Sequence, residues 1–136
     1  MATLTLKIVT PEKLTFSEEV DSVVIPAVEG DLGIFPMHIP LMTSIHPGEL
    51  VIMQGSKLTH LAVGEGFVEV TATSVSVLTD MAEPEDAINE TKVQDALDRA
   101  QTRLKEGALE GEDLATVEAA ISRSFAQLKV KRRHRG

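Results

Sequence analysis

The groups in this chain that could do chemistry are four histidines, twenty-one carboxylates and several serines. His38, His46, His60 and His134 are spaced in no pattern that suits a metal ion, and no cysteine assists them. Metal binding is therefore not expected, and His38, two residues from both Pro36 and Pro40, reads as a hydrogen-bonding corner residue. No pair of carboxylates is singled out by apolar burial, so a general acid–base dyad has no support. Ser22, Ser44, Ser74 and Ser76 lie in strand-like runs without the sharp strand-to-helix turn that presents a nucleophile. Gly30-x-x-Gly33 and Gly64-x-Gly66 read as turns, since neither opens a helix or continues to Gly-Lys-Ser/Thr as a phosphate cradle would. These residues imply a chain that is not an enzyme and needs neither cofactor nor metal.

Charge is more telling. The formal net charge is −8, unevenly spread. The last fourteen residues hold Arg123, Lys129, Lys131, Arg132, Arg133 and Arg135 and no acid, leaving seven bases against twenty-one acids in the preceding 122. A basic end on an acidic body asks for an acidic target. Nucleic acid is disfavoured, because the body repels phosphate and the only aromatics are four Phe, none interleaved with the dense basic run Lys129–Arg135 as a stacking surface requires. The lack of cysteine suits a reducing compartment. No apolar run approaches the ~18 residues of a membrane span. The N-terminus leads directly into a strand pattern, so no secretory or organellar leader is expected.

Those charges are positioned by two kinds of element, and the change comes near Pro84. All six prolines lie at or before it; the 52 residues after it have none. Before it, apolar residues alternate: Leu4, Leu6 and Ile8 against Thr3, Thr5 and Lys7, with the same period in Val20–Ile25 and Ser74–Val77. Further strand-like runs are Glu49–Gln54, Leu58–Val63 and Gly66–Thr71, separated by Gln54-Gly55-Ser56-Lys57 and Gly64-Glu65-Gly66, which read as hairpin turns. Many short strands with no helix between them predict an antiparallel sandwich or flattened barrel. After Pro84 the period becomes helical. Asn89 is an N-cap, and Val93, Ala96, Leu97, Ala100 and Leu104 form one stripe, with Asp95 and Arg99 paired on the wet side. Past Gly107–Gly111 a second stripe holds Leu114, Val117, Ala120, Ile121, Phe125 and Leu128. The expected architecture is β + α: an N-terminal antiparallel β-sandwich over residues 1–84, then an antiparallel two-helix hairpin with a basic end over 85–136. The stripes are alanine-rich and bury little, so the hairpin needs a docking surface, and two such surfaces would make it a two-state element.

One stretch is specific enough to suggest a family. Residues 29–48 run Glu-Gly-Asp-Leu-Gly-Ile-Phe-Pro-Met-His-Ile-Pro-Leu-Met-Thr-Ser-Ile-His-Pro-Gly, with three prolines setting direction and Gly30 and Gly33 read as tolerating positive φ at one corner. The stretch resembles the signature loop of the epsilon subunits of F-type rotary ATP synthases, keeping Gly30, Gly33, Pro36, His38, Pro40 and Leu41. It departs at Met37, where that family usually has glycine, and at Ile39, where it usually has alanine. Val77-Leu78-Thr79-Asp80-Met81-Ala82-Glu83 is similar to a second family patch, and the sandwich-then-hairpin order also fits.

The resemblance implies a central-stalk rotor subunit that couples c-ring rotation to the catalytic head through gamma, with C-terminal helices that restrain ATP hydrolysis. Implied partners are gamma, the c-ring, and the beta and alpha subunits. The implied c-ring contact is Glu29, Gly30 and Asp31 with Pro36, His38 and Pro40; the implied beta-subunit contact is Arg123, Lys129, Arg132 and Arg133. The implied place is peripheral, on the cytoplasmic face of a bacterial membrane, or on a thylakoid membrane as the alternative. Some relatives bind ATP through an Ile/Leu-Asp-x-x-Arg-Ala segment. Here it reads Ile88-Asn89-Glu90-Thr91-Lys92-Val93, so only Ile88, Lys92, Arg99 and Arg123 stand as candidates and binding is expected to be weak or absent. The rival readings are a binding module unrelated to the synthase, with a helical interaction tail, and a small enzyme on a β-scaffold.

Overall fold

The structure, a computed structural model, describes residues 2–107 and 109–133. Ten strands precede the helices: β1 Leu4–Thr10, β2 Lys13–Val20, β3 Ser22–Ala27, β4 Gly30–Ile34, β5 Leu41–Ile45, β6 Gly48–Gln54, β7 Lys57–Val63, β8 Gly66–Val70, β9 Ser74–Thr79 and β10 Ala82–Pro84. A single 3-10 turn at Glu85–Ala87 leads to α1, Glu90–Lys105, and α2, Gly111–Arg133. The β-sandwich and two-helix hairpin read from the sequence are both present.

The strands form one sheet in the order β10-β7-β6-β3-β5-β8-β9-β1-β2, with β4 also on β3. The sheet folds over at β3, which pairs with β6 through Ser22–Val24 and touches β5 only at Ala27 opposite Ile45. Pro26 sits at this switch; it has no N–H to give, and its carbonyl accepts from His46 N. The resulting two layers close on a core of fully buried residues, among them Leu4, Leu6, Ile8, Ile25, Ile34, Leu50, Ile52, Val68 and Val77. All pairings are antiparallel except β1 with β9.

Four strands escape the periodicity, β10 because it is only three residues long. β2 is a largely exposed edge strand rich in polar residues, while β4 and β5 hide in the glycine- and proline-marked stretch. The Gly55-Ser56 hairpin forms as expected, with Gly55 at φ 63°. Gly64-Glu65-Gly66 is not a hairpin turn: it carries the chain from β7 in one layer to β8 in the other. Its glycines serve close approach instead, since a Cβ on Gly66 would strike the Leu78 carbonyl and one on Gly64 the Asp80 carboxylate. Gly30 has φ 124°, but Gly33 does not share that conformation; it is an ordinary strand residue of β4.

Asn89 caps α1, its Oδ1 accepting from Lys92 N at 3.0 Å. Val93, Leu97 and Ala100 are buried as the first stripe predicts. Leu104 is exposed, and Asp95 and Arg99 form no ion pair among the described residues. Gly107, at φ 73°, ends the helix. In α2 the second stripe holds for Val117 and Leu128 but fails for Phe125, which is exposed; Ser124, Ala126 and Val130 are buried instead. The reason is that α2 has two neighbours. It packs on α1 along one face and on β6 and β7 along another, where Val130 and Leu128 join Ala62 and Ile88 in a second, smaller core.

Candidate functional site: the docked helix and the proline loop

The basic end of α2 lies against the acidic body. Arg123 Nη1 stands 3.6 Å from Asp80 Oδ2, and Lys131 Nζ stands 3.4 Å from Glu85 Oε1. Arg133 Nη1 donates to Glu49 Oε1 at 2.7 Å. Arg132 instead ties the helices together, Nε donating to Glu90 Oε1 at 2.7 Å and Nη2 to Gln94 Oε1 at 2.8 Å. Gln127 adds a neutral link, its Nε2 donating to Glu83 Oε2 at 2.7 Å. Two cations thus reach the sandwich, Lys131 reaches the short turn that follows it, and Arg132 reaches α1. Glu49 is the deepest acceptor, its side chain 7% exposed, with its second oxygen 3.4 Å from His60 Nδ1. Burial of that carboxylate makes the Arg133 contact worth more than the exposed pairs, which salt and side-chain entropy discount.

Lys129 is exposed and makes no ion pair among the described residues. It lines an open groove of 540 Å³ between α2 and the outer side of β3 and β6, with Phe125, Arg133, Pro26, Pro47 and Asp31. His38 and His46 bond through Nδ1 to the carbonyls of Ile39 and Pro47, a local structural use of each ring. His134 and Arg135 lie outside the described residues.

Residues 3–85 match the family model for the ATP synthase Delta/Epsilon chain, beta-sandwich domain. The chain is 42% identical over 124 residues to the ATP synthase epsilon chain of Desulforamulus reducens, covering 91% of this chain and 93% of that one. This chain belongs to the ATP synthase epsilon family. An ATP synthase epsilon chain of Dehalococcoides mccartyi is 41% identical over 135 residues, 99% of this chain and 96% of its own length. The fold is also that of a chain in the Euglena gracilis mitochondrial ATP synthase (OSCP/F1/c-ring), with TM-score 0.76 at 23% identity over 95% of this chain and 81% of that one. An unrelated binding module is excluded by these relatives.

Within the epsilon-family signature the structure separates two groups of residues. Glu29 lies in the exposed turn between β3 and β4 and Gly30 and Asp31 open β4, while Pro36, His38 and Pro40 lie past the other end of β4, roughly 15 Å away at strand spacing. The side chains Phe35, Met37 and Ile39, in and beside that loop, are 62%, 73% and 79% exposed. Sequence reading passed over them in favour of their proline and histidine neighbours; the alternation of apolar residues at 35, 37 and 39 is the signal that marks them. Met37 adopts φ 68°, and its N–H donates to Ala72 O at 2.7 Å, tying the loop to the β8–β9 turn. The four nucleotide-site candidates stand in differing environments. Ile88 is buried in the helix seam, Arg123 faces Asp80, Lys92 and Arg99 are exposed, and none lines the 540 Å³ groove. Among the described residues no helix is long and apolar enough to cross a membrane.

Proposed function

We propose that this chain is a rotor subunit of the central stalk. Its sandwich domain, residues 1–84, joins gamma to the c-ring and so couples ring rotation to the alpha and beta subunits of the catalytic head. Its helical domain, residues 85–136, restrains ATP hydrolysis when it leaves the body. It performs no bond chemistry and takes no cofactor. Its place is peripheral, on the cytoplasmic face of a bacterial membrane or, as the second reading, on a thylakoid membrane.

One observation carries the regulatory part: Arg123, Arg132 and Arg133 are satisfied within the chain, by Asp80, Glu90 and Glu49. An acidic partner surface that takes Arg123 and Arg133 competes with the body's carboxylates for them. Docking and partner binding therefore oppose one another, and each state has a differential contact to favour it. The small second core, which α2 shares with Ala62 of β7, is what the arm gives up on leaving the body.

Removing residues 88–136 tests the reading. The sandwich is expected to remain folded and to bind recombinant gamma, while ATP hydrolysis by the reconstituted enzyme rises severalfold. Unchanged hydrolysis would remove the regulatory role, and loss of gamma binding the stalk role. Ring contact is proposed through both the Glu29–Asp31 turn and the proline loop. Because β4 separates them, Asp31→Asn and Phe35→Ser can be compared one at a time for binding to purified c-ring.

A further inference from the structure

A titratable ring stands beside the carboxylate that holds the end of α2. On β7, His60 and Ala62 lie on one face, and Ala62 packs with Leu128 and Val130 of α2, so that face looks toward the helix. Across the strand pair, Glu49 of β6 stands opposite Ala62 and Val51 opposite His60, which sets Glu49 and His60 on a diagonal that long side chains can close. The two arm-facing residues thus meet at one carboxylate. Glu49 Oε1 accepts from Arg133 Nη1 at 2.7 Å, and Glu49 Oε2 stands 3.4 Å from His60 Nδ1. The side chains of Glu49 and His60 are only 7% and 22% exposed, so their interaction is weakly screened.

Four elements pack against β7: β6, β10, the 3-10 turn and α2. Glu49 is the one charged residue of β6. From β10 comes Glu83, which accepts from Gln127, and from the turn come Glu85, 3.4 Å from Lys131, and Asp86. Glu85, Asp86 and Lys57 of β7 itself share a depression with His60. The cations of α2 on this side are Lys131 and Arg133. Within that set imidazole is the one kind of group that ordinarily changes charge between pH 6 and 8.

A neutral His60 leaves the charge of Glu49 to Arg133. A protonated one places a second cation on that carboxylate from within the sandwich. It repels Arg133, and it keeps Glu49 paired after the arm has gone, which removes the penalty of stranding a shielded charge. We infer that His60 is an acid-sensitive latch: its protonation returns Glu49 to the sandwich and loosens α2 from the body. Linkage fixes the direction. Arg133 opposes the imidazolium only while the arm is docked, so protons favour the undocked state and falling pH moves the arm outward. The consequence of that movement for ATP hydrolysis rests on the function proposed above; the latch itself does not.

The test is hydrogen exchange on the full chain at about pH 8 and about pH 6, each rate divided by the intrinsic rate at that pH. One proton changes a docking constant by at most about tenfold per pH unit, and protection of the Leu128, Lys129 and Val130 amides is expected to fall about three- to tenfold across the window. His60→Gln, polar but unable to take the proton, is expected to keep its higher-pH protection in acid. Glu49→Gln is expected to lower protection of α2 at both pH values and to remove the difference between them. Unchanged protection of Val68 and Val77 in the sandwich core shows that a variant is folded. A change under about twofold in the unaltered chain overturns the inference, as does a gain of protection in acid. So does a pH response that survives in folded His60→Gln, which would move it to another ring such as His46 or His134. If His60→Gln does not fold, survival of the response in Glu49→Gln overturns it equally. Because no partner takes part, this outcome is independent of the hydrolysis measured with the truncated chain.

Discussion

Met37 holds a backbone conformation that L side chains adopt at a cost. Its φ of 68° falls in the left-handed region, where a Cβ crowds the following carbonyl and glycine escapes the penalty. The loop needs that conformation to aim the Met37 N–H at Ala72 O. Since the side chain is largely exposed, little packing would be lost with it. Met37→Gly is therefore expected to stabilise the fold by about 1 kcal/mol, less the unfolded-state entropy glycine adds, read as a higher urea midpoint at unchanged slope. A second residue-scale effect involves Glu19. Thr3 and Thr5 each donate a hydroxyl to its carboxylate, at 2.6 and 2.7 Å, and these bonds hold its pKa below the ordinary glutamate value. A depressed carboxylate pKa stabilises above the unfolded value, and that contribution disappears as pH falls through the folded one. Thr3→Val/Thr5→Val is expected to move the Glu19 titration upward by NMR and to flatten that part of the acid side of the stability profile.

At the scale of elements, α2 decides most. Its sequence offers one clear stripe, but a helix between α1 and the sheet must bury two faces, so Ser124, Ala126 and Val130 go inside while Phe125 stays out. The cations divide along the same lines. Arg133 reaches the nearly buried Glu49, whereas Arg132 joins the half-exposed Glu90 and Gln94 of α1. Arg133→Ala strips a charged donor from a shielded carboxylate and is expected to weaken docking of α2 by about 1–2 kcal/mol. Arg132→Ala breaks an exposed pair and is expected to cost under about 1 kcal/mol, loosening α1 from α2 rather than α2 from the body. Hydrogen exchange separates the two. The first speeds the amides around Ala126–Val130, and the second chiefly those near Glu90–Gln94.

For the whole molecule, the acidic body and basic helix end attract one another through contacts that are mostly exposed. Raising salt from 50 mM toward 500 mM shortens the screening length from roughly 14 Å to about 4 Å. The α2 amides are then expected to exchange faster while those of β1, β8 and β9, held by an apolar core, stay unchanged. A uniform response across the chain would show that charge does not hold the arm. Much of this molecule was legible before folding. The alternation in Leu4–Ile8, the switch to helical period after Pro84, the Asn89 cap and the ordered positions of residues 29–48 are local properties, and they identify the family and its sandwich-then-hairpin order. The segregation of positive charge at the C-terminal end is equally plain in the chain itself. Other features depend on which distant segments meet. Folding chose Asp80, Glu85 and Glu49 from among twenty-one carboxylates as partners for α2, turned Gly64–Gly66 into a crossing between layers, and set the Glu29–Asp31 turn and the proline loop at opposite ends of β4. Periodicity reports which side of its own strand or helix a residue faces; only the closing of the two layers determines what stands on that side.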